Sequence, residues 1–253
     1  MRRSWLLGAS LADLVFLYAP IAVLIVFSFN ASRLSASWQG LTLEWYRQLA
    51  GDAALLAAVR NSLLVGIVST AIATVLGIGA ALGLERLSFR GRGLLESAML
   101  LPLVIPEIMM GVALMLFFVL IEVPLSLATV TVGHAAFNLP VVTIIVRARL
   151  RKLDPHLVEA ARDLGATPWA AFRRVTLPLL APAILGAVLM AFTFSLDDFI
   201  VTFFTAGPGS TTLPLKVYSM VKTGVSPVIN ALSTVLLLLS MTLIGASLAL
   251  QRR

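Results

Sequence analysis

The sequence predicts an all-α, polytopic membrane protein of six transmembrane helices with both termini in the cytoplasm. Three observations carry this: 59% of the 253 residues are hydrophobic against 12% charged, the apolar residues fall into six long runs, and the basic residues are shared unequally between the connectors. A soluble chain averages about 45–50% apolar and roughly 25% charged. The charge present is too sparse to cover a 27.0 kDa surface, and the mean hydropathy is +0.99. Each span takes roughly 20 apolar residues, which leaves no room for a self-contained ATPase or a large extramembrane enzyme. With no cysteine there is no disulfide framework, thiolate metal site or cysteine nucleophile. The net charge of +7 needs no nucleic acid to explain it, because membrane proteins gather Lys and Arg on cytoplasmic loops.

The six runs cover residues 11–29, 59–84, 94–120, 126–146, 181–205 and 227–250. The first follows Met1-Arg2-Arg3, as a secretory signal would. Its apolar stretch of about 25 residues exceeds a signal core of roughly 7–15, so it reads as a retained span. An even number of spans puts both termini on one side. That side holds fourteen of the 19 basic residues, seven of them in the connector 147–180. The other side holds Arg33, Arg47, Arg60, Lys216 and Lys222. The bias places the termini and the long connector in the cytoplasm. Residues 1–58 form a first span with an amphipathic outer segment, and 59–250 a core of five spans.

In the outer connector 30–58, Leu41, Trp45 and Leu49 recur at helical spacing beside Tyr46, predicting an interfacial helix against the outer leaflet. In the second span Gly79 and Gly83 form a GxxxG, a pattern that lets helices approach closely.

The cytoplasmic connector carries the strongest signal. Asp154 suits an N-cap, Pro155 the first helical position and Gly165 the left-handed residue that ends a helix. Between them Leu157, Ala160, Ala161 and Leu164 make one small apolar face, opposite His156, Glu159, Arg162 and Asp163. Thr167-Pro168 then starts a second short helix through Arg174, and Pro178 and Pro182 lead into the fifth span. Two readings compete: an amphipathic hairpin that anchors spans, or a docking surface for another protein. Anchoring faces favour Trp, Phe and Leu. Two alanines suit docking better.

Glu159-Ala160-Ala161, Gly165 and Leu177-Pro178 resemble the EAA motif of the permease subunits of binding-protein-dependent ABC importers, with Val175 where an Ile is usual. A narrower resemblance, to the spermidine/putrescine permeases, rests on residues in several spans. They are Phe16-Leu17-Tyr18-Ala19-Pro20, Ser28-Phe29-Asn30, Ser195-Leu196-Asp197-Asp198, Gly207-Pro208-Gly209, Leu213-Pro214, and Val225-Ser226-Pro227 with Asn230-Ala231-Leu232. The resemblance covers nearly the whole chain and implies the type I importer permease fold. It implies a bacterial inner-membrane subunit without a cofactor of its own, with ATP–Mg bound by a partner ATPase dimer. It further implies a homologous second permease, a periplasmic solute-binding protein, and ATPase contact through Glu159, Ala160, Ala161 and Gly165.

Intramembrane carboxylates are costly and mark functional candidates. Measured along continuous helices at about 1.5 Å per residue, Glu107 lies roughly 20 Å up the third span and Asp197 and Asp198 roughly 24 Å up the fifth. Acids at one depth would suit a cationic amine on a translocation path. The competing reading has Asp197 and Asp198 capping the span's end or pairing with Lys216, Lys222 or the Gly207 loop. Asp13 is expected to pair with Arg2 or Arg3, Glu122 to meet water in a short turn, and His134 to be a hydrogen-bonded packing residue.

The sequence contains no GxxxxGK[ST] phosphate loop, so ATP hydrolysis falls to another chain. A stand-alone secondary transporter would predict an inverted repeat of broken helices, and none is visible. An intramembrane hydrolase would need a nucleophile–base pair, which two His and no Cys do not suggest.

Overall fold

The computed structural model describes residues 2–32, 37–154, 156–224 and 226–251. Expectations resting on Arg33, Pro155, Val225, Arg252 and Arg253, or on the side chains of Arg2 and Arg3, lie outside what is described.

Twelve α-helices follow one another among the described residues. They are α1 (Arg2–Phe27), α2 (Glu44–Gly51), α3 (Ala53–Arg86), α4 (Arg92–Val104), α5 (Glu107–Leu120), α6 (Leu127–Leu150), α7 (His156–Asp163), α8 (Pro168–Ala171), α9 (Leu177–Asp197), α10 (Ile200–Thr205), α11 (Leu213–Thr223) and α12 (Pro227–Gln251). Among the described residues, four stretches are long and apolar enough to cross a membrane: Ala9–Phe27, Ala53–Arg86, Leu127–Leu150 and Pro168–Asp197. The pair α4 and α5 adds a broken span or a re-entrant loop, and α12 is apolar over Pro227–Thr242. Helices suit such sequences because a helix satisfies its own backbone where lipid cannot.

By packing, the chain divides into two units, Met1–Leu56 with Lys216–Arg253, and Ala57–Leu215. In the first, α12 packs on α1 and α2, whereas the sequence reading grouped the last span with the core. Helix α2 begins at Glu44, so Leu41 lies outside it, exposed, in an isolated antiparallel bridge with Asn30. Trp45 and Leu49 are buried, so α2 is held by protein and does not simply lie on lipid. The Trp45 indole N–H donates to the Asn30 carbonyl at 2.7 Å. The buried Asn30 side chain donates to the Ser37 carbonyl at 2.8 Å and accepts from the Gln39 amide at 2.9 Å, closing the loop over its own backbone. Lys216 pairs with Asp52 at 3.8 Å.

In the second unit α3, α6 and α9 share a core of Ala73, Ala81, Val142, Val146, Leu150, Leu180, Ala187 and Ala191. The close approaches fall at Gly77, where a Cβ would stand 2.8 Å from Val142, and at Gly66, where it would stand 2.9 Å from Phe192. At Gly79 and Gly83 it would meet nothing, so the GxxxG is not the packing site. Small residues at these crossings replace the hydrophobic drive that lipid does not supply.

Two expected spans are broken. The run 94–120 is two helices bent by 111° at Ile105–Pro106. Pro106 has no N–H for the Pro102 carbonyl and forces the residue before it to extend; Ile105 sits at φ −70°, ψ 132°. The run 181–205 starts earlier and ends sooner. Helix α8 continues through a π-helical turn, Phe172–Thr176, into α9, so the second loop helix and the fifth span are one 30-residue helix. That helix stops at Asp197, Asp198 turns extended at ψ 123°, and α10 begins at Ile200.

Candidate translocation site and coupling loop

The two breaks meet. An open cavity of about 560 Å³ is lined by Glu107 at the start of α5, by Asp197 and Asp198 at the end of α9, and by the rings of Phe137, Phe194 and Phe199. The three acids singled out in the sequence therefore border one space. The depth argument that grouped them fails for Glu107, because α4 and α5 are not one straight rod. What joins the acids is that both segments leave the helix beside the same cavity.

Their chemistry differs. Glu107 and Asp197 are exposed within the chain, and neither has an ion-pair partner among the described residues. Asp198 is nearly buried, with its side chain 6% exposed. Its Oδ1 accepts the Val201 amide at 3.2 Å, and its Oδ2 accepts the Thr202 amide at 2.9 Å and the Thr202 hydroxyl at 3.0 Å. Asp198 thus caps α10, tying up amides that start a helix without partners. The capping alternative holds for Asp198, whose side-chain partners among the described residues are Val201, Thr202 and His134.

Its contact on another long helix is His134, whose Nε2 stands 3.1 Å from Oδ2. The imidazole is fully buried, as a packing residue should be, and its Nδ1 lies 2.6 Å from the Ser195 hydroxyl. Ser195 continues to Ser69 of α3 at 3.2 Å. Facing a carboxylate, Nε2 is assigned the proton and Nδ1 accepts from Ser195. A serine, a histidine and an aspartate are thus in line, an arrangement the sequence did not suggest. Ser195 is itself buried at 4% exposure, so no substrate carbonyl reaches it and the chain of bonds serves structure. Among the described residues no three His, Asp or Glu side chains gather as a metal site.

An ammonium group fits the exposed part of this cavity. Two carboxylates without partners offer opposite charge, and ring faces attract cations.

The connector after α6 forms as its capping residues predict. Asp154 Oδ1 accepts the His156 amide at 3.0 Å at the start of α7. Gly165 takes φ +86°, and the Ala166 amide returns to the Ala161 carbonyl at 3.0 Å, the bond that closes a helix over a left-handed residue. Thr167 Oγ1 accepts the Ala170 amide at 3.2 Å over Pro168. The predicted apolar face is split: Ala161 is half-buried, while Leu157, Ala160 and Leu164 are exposed. Leu164 is 90% exposed, and Trp169, which sequence reasoning passed over, is 68% exposed five residues on. A groove of about 510 Å³ runs past Glu159, Arg162, Gly165 and Pro168. His156 Nδ1 meets Glu159 at 3.0 Å, and that hydrogen bond, with the charges of Asp154 and Glu159, holds the imidazole above its ordinary pKa.

Arg147, Arg151, Glu85 and Glu96 entered the sequence reading at most as counted charges. They form one cluster: Arg147 bonds Glu85 at 2.9 Å and also Glu96, and Arg151 bonds Glu85 at 3.0 Å. A cleft lined by Glu85, Arg151, Leu157 and Val158 lies between this cluster and α7.

Residues 73–253 match the family described as binding-protein-dependent transport system inner membrane component. The chain is 40% identical over 245 residues to the spermidine/putrescine transport system permease protein PotC of Escherichia coli (strain K12), covering 97% of this chain and 93% of that protein. It is 40% identical over 244 residues to the putrescine transport system permease protein PotI of the same organism, covering 94% and 87%. The Haemophilus influenzae PotC is 36% identical over 238 residues, covering 94% and 93%. Among solved structures, a chain of a bacterial ABC transporter involved in import of the acidic polysaccharide alginate superposes with a TM-score of 0.71 at 17% identity, covering 97% of this chain and 98% of that one. The same fold recurs, with a TM-score of 0.71 at 19% identity, in a bacterial alginate ABC transporter in complex with an alginate-pentasaccharide-bound periplasmic protein, covering 93% and 89%.

Proposed function

The chain belongs to the family of binding-protein-dependent transport system inner membrane components, and we propose that it is the permease subunit of an ABC importer that forms the membrane path for a cationic polyamine of the spermidine/putrescine type. The observation that carries the solute class is the cavity in which Glu107 and Asp197 stand unpaired beside three aromatic rings. Carboxylates in a low-dielectric setting favour a cation over an anion. They should hold it weakly, because passage requires release as well as binding. The named functions of the relatives point the same way.

In this reading the chain is a multi-pass inner-membrane protein with six spans, counting α4–α5 as one and α12 as the last, and with cytoplasmic termini. The exposed surface of Glu159, Ala160, Leu164 and Trp169, held in shape by Ala161 and Gly165, docks on a separate ATPase dimer that binds ATP–Mg. A homologous second permease completes the pore, and a periplasmic binding protein delivers the solute.

Uptake of labelled putrescine, spermidine and an uncharged solute, in a deletion strain complemented with parental, Glu107→Gln or Asp197→Asn chain, tests the reading. The neutral variants should assemble normally and slow amine uptake about tenfold or more. Parental uptake by both, or equal uptake of the uncharged solute, would refute it.

A further inference from the structure

His134 lies one step behind the cavity. Its ring is fully buried between α6, which carries it, and the Asp198–Thr202 segment that breaks the fifth span. The one charged group it meets among the described residues is Asp198, at 3.1 Å; the others are the Ser195 and Thr202 hydroxyls at 2.6 and 2.9 Å and the Phe137 ring at 5.3 Å between centroids. Phe137 also lines the cavity, so the imidazole packs against the back of its wall. Asp198 makes four bonds within the protein, and His134 supplies the one that comes from another long helix. The break is therefore not left to the loop itself. It is tied to α6, and through Ser195 and Ser69 to α3.

The residue this arrangement orients is Asp197. It is the last residue of α9, directly before the extended Asp198. Its direction depends on where α9 stops, and α9 stops where Asp198 is held. Without the imidazole N–H, the buried Asp198 carboxylate loses a donor in a place where an underbonded charge is costly. It would then turn toward the cavity or take up a proton, and either change moves its neighbour.

We propose that His134 is a positioning residue for passage of the amine: by binding Asp198 it fixes the break between α9 and α10, and with it the direction in which Asp197 faces the cavity. The inference rests on the reading that the cavity acids line the path.

The test uses the complete transporter, reconstituted with its partner subunits and binding protein, and reads putrescine uptake per assembled complex. His134→Leu removes the donor and should lower the rate about tenfold. His134→Gln restores an N–H toward Asp198 and should recover it to within about threefold of the parental rate. Thr202→Val is close in shape and removes the other side-chain donor to Asp198. It should slow uptake without loss of complex, and it decides the matter if His134→Leu does not assemble. A histidine that only packs gives another pattern: less complex, with the parental rate in what remains and no difference between Leu and Gln. That pattern, or a parental rate in Thr202→Val, overturns the proposal. Asp197→Asn is measured beside them. If it slows uptake while the His134 and Thr202 variants do not, only the positioning role fails; if it leaves uptake unchanged, Asp197 is not on the path and this inference fails, and if Glu107→Gln does so as well the cavity reading fails with it.

Discussion

Arg147 Nε donates to Glu85 Oε2 at 2.9 Å, joining the ends of α6 and α3 across 62 positions of sequence. The same guanidinium reaches Glu96 of α4, a helix with no buried residue of its own, so this ion pair ties α4 to α6, on which it also packs. Arginine suits the task because its planar fork bonds two carboxylates at once. Arg147→Gln should lower the thermal unfolding midpoint in detergent by about 2–4 °C, a modest shift for two lost ion pairs because both carboxylates are partly exposed. Arg90→Gln, at an exposed position, should leave it unchanged. Equal midpoints for the two variants would show that the cluster does not hold α4.

The unequal distribution of basic residues predicts the side of each connector. A reporter fused after Arg253 should be cytoplasmic, and one inserted near Ser37 periplasmic. Both reporters on one side would refute the six-span arrangement.

Gly165→Asp tests the loop. A Cβ there has open space, so no clash is introduced, but φ +86° costs a side chain about 1 kcal/mol. The added carboxylate also faces the exposed groove. The chain should insert at parental level, lose co-purifying ATPase, and lose at least tenfold in uptake. Parental uptake, or loss of the chain itself, would count against a docking role.

His156 gives the loop a pH dependence whose sign follows from its partners. Its pKa is raised by the Glu159 hydrogen bond first and by the charges of Asp154 and Glu159 after it. The interaction therefore supports the first turn of α7 in full below the ordinary histidine value, and is lost as pH rises through the raised one. An NMR titration of His156 should show a midpoint above the ordinary value, falling back toward it in Glu159→Gln while Asp154 keeps part of the shift. An unchanged midpoint in that variant would remove Glu159 as the cause.

How much of this was legible in the sequence depends on the range of the interactions involved. The loop from Asp154 to Pro168 was readable almost residue by residue, because caps and left-handed glycines act over three or four positions. The apolar runs were readable because lipid imposes their length. The break at Pro106 was less so, since a proline in a helix can kink, end or be absorbed, and neighbours decide which. The acids were found as acids, but their convergence depends on two breaks that no single segment reveals. His134 looked like an ordinary core residue; its role comes from Asp198 and Ser195, more than sixty positions away in chain and brought near by α9 packing on α6. The GxxxG was a misleading signal, because a spacing says which face is small and not whether another helix lies against it.

The continuity of α8, the π-helical turn and α9 has a mechanical consequence. A helix of 30 residues is about 45 Å long. It runs from the exposed loop at Pro168 to the carboxylate of Asp197, so one body joins the loop to the cavity. A rigid rod of that length pivoting by about 5° about one end would sweep the other through roughly 4 Å. Bending, however, concentrates where the backbone ladder is interrupted, at the π turn and at Pro178 and Pro182, all within the half of the helix nearest the loop. The remainder is an uninterrupted arm. A displacement entering at the compliant half would reach Asp197 through this straight half.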